Sequence, residues 1–107
     1  MKRMKEDTIK EMVKTGNIRW TNHVLIRLLQ RNITQTDIEN ALLNGEIIEE
    51  YENDYPYPSC LVYGLNLNNE VLHIVCGITQ TELWIITAYY PDDTEWEKDF
   101  KTRKEIK

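Results

Sequence analysis

The apolar positions of this chain recur with two different periods, and the switch between them divides the sequence near residue 45. In the first part they return every three to four residues, as on one face of a helix. Ile9, Met12 and Val13 share such a face, and Gly16 is a natural stop. The face is weakly apolar, so residues 1–16 are expected to form a mobile N-terminal helix. Thr21 is a good N-cap for a second helix. There Val24, Leu25, Ile26, Leu28 and Leu29 make a broad apolar face, while His23, Arg27, Gln30 and Arg31 share the polar stripe. Thr34 can cap a third helix, with Asp37 at the capping-box position and Ile33 and Ile38 spaced as a hydrophobic staple. Ile38, Ala41 and Leu42 then face the core. Asn44-Gly45 closes this helix, with Gly45 expected in the left-handed conformation after the cap.

Beyond Gly45 the period becomes two. Strands are expected at 46–51, 59–65, 71–77 and 82–90, with the stiff Asp54-Tyr55-Pro56-Tyr57-Pro58 loop after the first and a turn at 66–69 after the second. Short connections favour an antiparallel meander. Pro91-Asp92-Asp93 breaks the sheet, and Thr94 is placed to cap a last helix, 95–103, carrying Trp96 and Phe100 four apart on one face. The expected fold is α+β: N-terminal helices packed on one face of a four-stranded antiparallel β-sheet, with a C-terminal helix. Along the third strand Leu72, Ile74 and Cys76 lie on one side, and Ile86 and Ala88 match them in the fourth. That side is the better one for the helices. His73, Thr87 and Tyr89 then look onto the open face together.

The 107 residues amount to a single domain, 1–107, with its core over 17–100. Apolar residues are 41% of the chain, enough for one core, and no apolar run is long enough to span a bilayer. The charged N-terminus is followed by no apolar stretch, so no secretory signal is visible and a cytoplasmic location is expected. The net charge of −5 divides as +2 over residues 1–16, −6 over 17–90 and −1 over 91–107. A nucleic-acid binder usually carries a basic excess. Any such role here must therefore use a small local cluster of arginines. Cys60 and Cys76 have no paired-ligand spacing and read as buried thiols; His23 and His73 lack clustered partners, so no metal site and no cofactor is expected.

Three features could carry chemistry. His23, Arg27 and Arg31 are spaced by four and lie on one line along the second helix. Two of the three arginines between residues 17 and 90 fall on that line. His23 sits in the first helical turn, where the dipole favours a neutral imidazole and so a base. Arg27 is placed to hold an anion beside it. The second feature is the sheet face of His73, Thr87 and Tyr89. The third is Ser59, which the rigid proline loop delivers at a strand start. No Gly-x-Ser-x-Gly elbow and no glycine-rich phosphate loop occurs. The carboxylates from Glu46 to Asp54 read as a solvated acidic edge.

The string Trp20-Thr21-x-His23-x-x-x-Arg27-x-x-x-Arg31, then Asp37, Gly45-Glu46-Ile47-Ile48-Glu49-x-Tyr51, Asp54-x-Pro56-x-Pro58-Ser59, Leu72-His73-Ile74-Val75, Ile85-Ile86-Thr87-x-Tyr89-x-Pro91-Asp92 and Trp96, resembles the bacterial domain of unknown function 4258 family. That family is similar to toxins of the RelE/barnase superfamily. The resemblance implies a RelE-like, barnase-like fold and metal-independent cleavage of RNA by the toxin of a toxin–antitoxin pair. It implies RNA and an antitoxin-like protein as partners, with no DNA contact and no membrane. Carried over, the matched polar positions are His23, Arg27, Ser59, His73, Thr87 and Tyr89. His23 or His73 would take the proton from a ribose 2′-OH. Arg27, with Arg31, would stabilise the phosphorane, and the other histidine or Tyr89 would protonate the leaving 5′-oxygen. Arg31, Ser59 and Thr87 would bind substrate. The acidic balance departs from such nucleases and keeps a second class open: a non-catalytic protein-interaction module displaying tyrosines. A small-molecule enzyme has no motif in its favour.

Overall fold

The computed structural model describes residues 2–105. Three helices come first: α1 (Lys2–Lys14), α2 (Asn22–Gln30) and α3 (Gln35–Leu43). The strand β1 (Ile18–Trp20) lies between α1 and α2, and β2 (Glu46–Tyr51), β3 (Ser59–Leu65), β4 (Val71–Ile78) and β5 (Leu83–Tyr89) follow.

Each helix end has a chemical cause. Gly16 stops α1 with φ at 77°, while its N–H bonds the Val13 carbonyl and the Asn17 N–H bonds that of Met12. The helix is packed on the rest of the domain. Ile9 and Met12 are buried in the core, the Glu6 carboxylate accepts the Ile47 N–H at 2.7 Å, and Lys5 pairs with Glu50 at 2.5 Å and Glu52 at 2.9 Å. Thr21 caps α2 by accepting the Val24 N–H. Thr34 and Asp37 form the full capping box on α3. Burial works against the Asp37 carboxylate, but N–H groups of Leu67 and Thr34 hold its pKa below the ordinary value. Gly45 does not take the left-handed conformation expected of it. It is small because α3 sits close by: a Cβ there would lie 2.6 Å from the Ala41 carbonyl oxygen.

The sheet has five strands in the order β1-β5-β4-β3-β2, not four. β2 to β5 form the expected antiparallel meander, and β1 adds to β5 in parallel, Ile18 opposite Leu83 and Trp20 opposite Ile85. Three residues are too few for a period of two to be read, so the sequence does not announce β1. A second departure is a bulge in β5. Val75 lies opposite Thr87 but Cys76 opposite Ile85, which leaves Ile86 as the extra residue. The bulge reverses the facing of the strand's first half: Leu83 and Ile85 enter the core, whereas Trp84 and Ile86 are exposed. Ile86 is therefore not the core residue that simple alternation predicts.

One core joins Ile9 and Met12 of α1, Val24 and Leu28 of α2, and Ile38, Ala41 and Leu42 of α3 to Ile47, Val62, Leu72, Ile74, Cys76, Ile85 and Ala88 of the sheet. The apolar face of α2 is narrower than expected, since Ile26 and Leu29 are 55% and 79% exposed.

The C-terminal helix does not form. The Thr94 hydroxyl, needed to cap it, instead donates to Asp92 at 2.5 Å. Asp99 then turns the chain by accepting the N–H groups of Lys101 and Thr102, and Phe100 takes a φ of 55°. The segment doubles back, with Glu97 and Thr102 bonded through their backbones and Trp96 bridged to Arg103. This strap crosses the sheet face that the helices leave open and buries Trp96 there. Trp96→Ala is expected to cost about 3 kcal/mol, the low end for a buried tryptophan because the strap can partly collapse. Urea denaturation checks this, and an unchanged midpoint would mean that the strap is not packed.

Candidate functional site

Two groupings of polar side chains occupy the far side of the sheet and its β5 edge. The first is the seam between α2 and β5. β1 covers only residues 83–85 of β5, so the outer edge of its second half has no strand partner among the described residues. Arg31, at the end of α2, reaches it. One guanidinium nitrogen donates to the Ala88 carbonyl at 2.8 Å and to the Thr87 hydroxyl at 3.2 Å. Thr87 lies two residues from Tyr89 on the face away from the helical core. The spacing of four then sets Arg27 and His23 along the same line as Arg31. Both side chains are exposed and make no hydrogen bond or ion pair among the described residues.

The second grouping surrounds His73, which lies in register between Tyr63 of β3 and Tyr89 of β5. Its ring is fully buried. Trp96 packs on it edge to face, with ring centroids 4.5 Å apart, and Tyr89 does so at 5.3 Å. Nε2 of His73 meets the Phe100 carbonyl at 2.7 Å, so that nitrogen carries a proton. Nδ1 is left to accept from the Tyr89 hydroxyl at 3.4 Å. Burial pushes the His73 pKa below 6.5, outweighing the Phe100 bond and the Glu49 carboxylate, which favour the charged ring.

The strap over this ring is held by charges. Arg103 grips Glu49 in a two-pronged pair at 2.7 and 3.1 Å and lies over the Trp96 ring at 4.6 Å. Lys101 pairs with Glu46 at 2.5 Å and covers Tyr63 at 4.8 Å. Tyr51 donates to Glu49 at 2.5 Å. Burial raises the Glu49 pKa, but the bonds from Arg103 and Tyr51 outweigh it and hold the carboxyl low. Burial and the bond to Glu49 push the Tyr51 phenol up to about 12.

The seven candidate residues thus fall into separate places. Arg31 and Thr87 are joined directly, and His73 and Tyr89 are joined beneath the strap. His23 and Arg27 stand exposed on α2. Ser59 is buried at the start of β3 and donates to Asp54, so it is withdrawn from the seam. No hydrogen bond or ring contact among the described residues joins His23 or Arg27 to His73 or Tyr89. The expectation that His73 looks onto an open face is therefore corrected: its ring is sealed because the chain after Asp92 folds over it instead of forming a helix. Tyr89 keeps one side free and lines a cavity of about 260 Å³ with Tyr90, Pro91, Asp92, Glu95, Trp96 and Arg103. The sequence reading missed Glu49, Tyr51 and Arg103. Glu49 and Tyr51 are two apart on a strand and so share a side, a clue that was present. Arg103 gives none, because only the doubled-back strap brings it there.

A histidine kept neutral by burial makes stability depend on pH. In the unfolded chain His73 titrates near 6.5, and in the fold it titrates lower. Below that ordinary value the unfolded state binds more protons, so the contribution is complete above 6.5 and is lost as pH falls toward the folded pKa. Urea midpoints from about pH 7.5 down to about pH 5 should fall more steeply for the native chain than for His73→Gln, which retains a donor for the Phe100 carbonyl. Parallel profiles would show that the ring is not held neutral.

The fold and the seam define an α+β domain with helices on one sheet face and a polar strip at the edge of β5. A sequence profile described as a domain of unknown function, DUF4258, matches residues 20–90. The chain belongs to that family. The matched region spans the strip from Trp20 through Tyr89 and ends before the strap. No curated protein and no solved structure matches the chain. No helix among the described residues is long and apolar enough to cross a membrane, and no group of three or more metal-ligating side chains gathers among them.

Proposed function

We propose that this chain is a toxin-like ribonuclease of the RelE/barnase type that acts on RNA along the α2–β5 seam. The observation that carries the reading is the bond from Arg31 to Thr87. It ties the helical line of His23, Arg27 and Arg31 to the strand that bears Tyr89. His23, exposed in the first turn of α2, accepts the proton of a ribose 2′-OH. The freed oxygen attacks the adjacent phosphorus, and Arg27 meets the charge on the phosphorane with the unused nitrogens of Arg31. Tyr89 turns its hydroxyl away from His73 Nδ1 and gives that proton to the leaving 5′-oxygen. The products are a 2′,3′-cyclic phosphate and a 5′-hydroxyl. His73 touches no substrate in this scheme; it is a positioning residue that holds the Tyr89 phenol from behind. With a net charge of −5, the domain binds RNA through these few cations and not through a general field.

The second reading is the non-catalytic interaction module. Its support is the exposure of Ile26 and Leu29 on the same helix, an apolar pair that a protein partner would cover. Expressing the native chain beside His23→Ala and Arg27→Ala separates the two. Degraded RNA and slowed growth with the native chain alone support the nuclease. Intact RNA in all three, with one stoichiometric protein partner recovered, supports the module.

A further inference from the structure

Cys60 and Cys76 stand directly opposite each other on the neighbouring antiparallel strands β3 and β4, and their sulfur atoms are 3.7 Å apart. Facing residues of an antiparallel pair hold their Cα atoms about 4.5–5.5 Å apart, within the span a disulfide bridges. Both thiols are free. They lie on the helical side of the sheet, in the core, where no feature of the seam uses them.

We propose that Cys60 and Cys76 form a redox site, a cross-strand dithiol that a peroxide closes to a disulfide. Cys60 is the attacking sulfur: it is buried, 2% exposed, but it borders open space and Cys76 borders none. It forms part of the wall of a cavity of about 200 Å³ lined also by Lys5, Glu52, Pro58, Ser59 and Ile78, whereas Cys76 is wholly enclosed. The bond from Cys76 holds the Cys60 thiol below its ordinary pKa, and that bond together with burial pushes the Cys76 thiol up. In the first step the Cys60 thiolate attacks one oxygen of hydrogen peroxide. A sulfenic acid forms, and the departing hydroxide takes up a proton as water. In the second the Cys76 sulfur attacks the sulfenic sulfur; the S–S bond forms, the S–O bond breaks, and a second water leaves with the Cys76 proton. Two thiols are oxidised and one peroxide is reduced. The bridge would staple β3 to β4 at the centre of the sheet.

The test uses the full chain, fully reduced and freed of reductant, exposed to hydrogen peroxide while folded. The expected product is a monomer that has lost two hydrogen atoms in mass and both free thiols, and dithiothreitol restores both. Peptide mapping should link Cys60 to Cys76. Cys60→Ser and Cys76→Ser should each fail to give this product; Cys76→Ser alone should show a sulfenic adduct trapped by dimedone. A urea-unfolded sample confirms that the oxidant is active. The proposal is overturned if the folded chain keeps both thiols under that dose, gains oxygen at either sulfur without closing, or links only between molecules.

Discussion

Gly64→Ala is expected to remove most of the stability of this domain, on the order of 4 kcal/mol or more, beyond the usual range for an overpacked site. The cause is backbone against backbone. A Cβ on Gly64 would lie 2.1 Å from the Ala41 carbonyl oxygen and 2.7 Å from its carbonyl carbon. Neither atom can swing aside as a side-chain tip does. To make room α3 must lift off β3, and Ala41, Leu42 and Ile38 leave a core in which each is at most 1% exposed. Thermal or urea unfolding of the purified variant measures the loss. A variant within about 1 kcal/mol of the native chain would mean that α3 does not press on β3.

On the proposed reading the other large effect is that of His23→Ala, on activity and not on folding. The His23 side chain is exposed and makes no bond among the described residues, so its truncation should change stability by no more than about 0.5 kcal/mol. Removal of a general base typically lowers a rate by about 10²–10⁴-fold. RNA cleavage should fall by that factor while the unfolding midpoint stays put. Arg27→Ala should act in the same direction, and Arg27→Lys should recover only part, since a lysine presents a point charge where the guanidinium presents a fork. A His23→Ala chain that cleaves as fast as the native one would remove this residue from the chemistry.

Much of the fold is written locally, and those parts are legible. Thr21, Thr34 with Asp37, and Gly16 mark helix ends through bonds to their immediate neighbours, and the meander follows from a period of two between short connections. What the sequence hides depends on distant contacts. β1 exists only because β5 offers Ile18–Trp20 an edge. The bulge at Ile86 exists only in pairing with β4, so alternation read along β5 alone gives the wrong facing for Ile85 and Ile86. The last segment has the spacing of a helix in Trp96 and Phe100, yet Asp92 and Asp99 accept its backbone N–H groups in local turns, and the sheet offers Trp96 the ring of His73. The candidate site divides in the same way. The line of His23, Arg27 and Arg31 can be read from a spacing of four. The anchoring of Arg31 on Thr87, and the sealing of His73 under Phe100 and Trp96, require the sheet edge and the strap to be in place.

The seam is tested most directly by purified chain acting on an end-labelled single-stranded RNA, with and without ribosomes present. The predicted products end in a 2′,3′-cyclic phosphate. Cleavage should stop at any position whose ribose carries 2′-deoxy substitution, and everywhere when His23 is replaced by alanine. RNA that stays whole in both settings, or that is cut equally by the His23→Ala chain, would contradict the assignment of this helix edge to RNA cleavage.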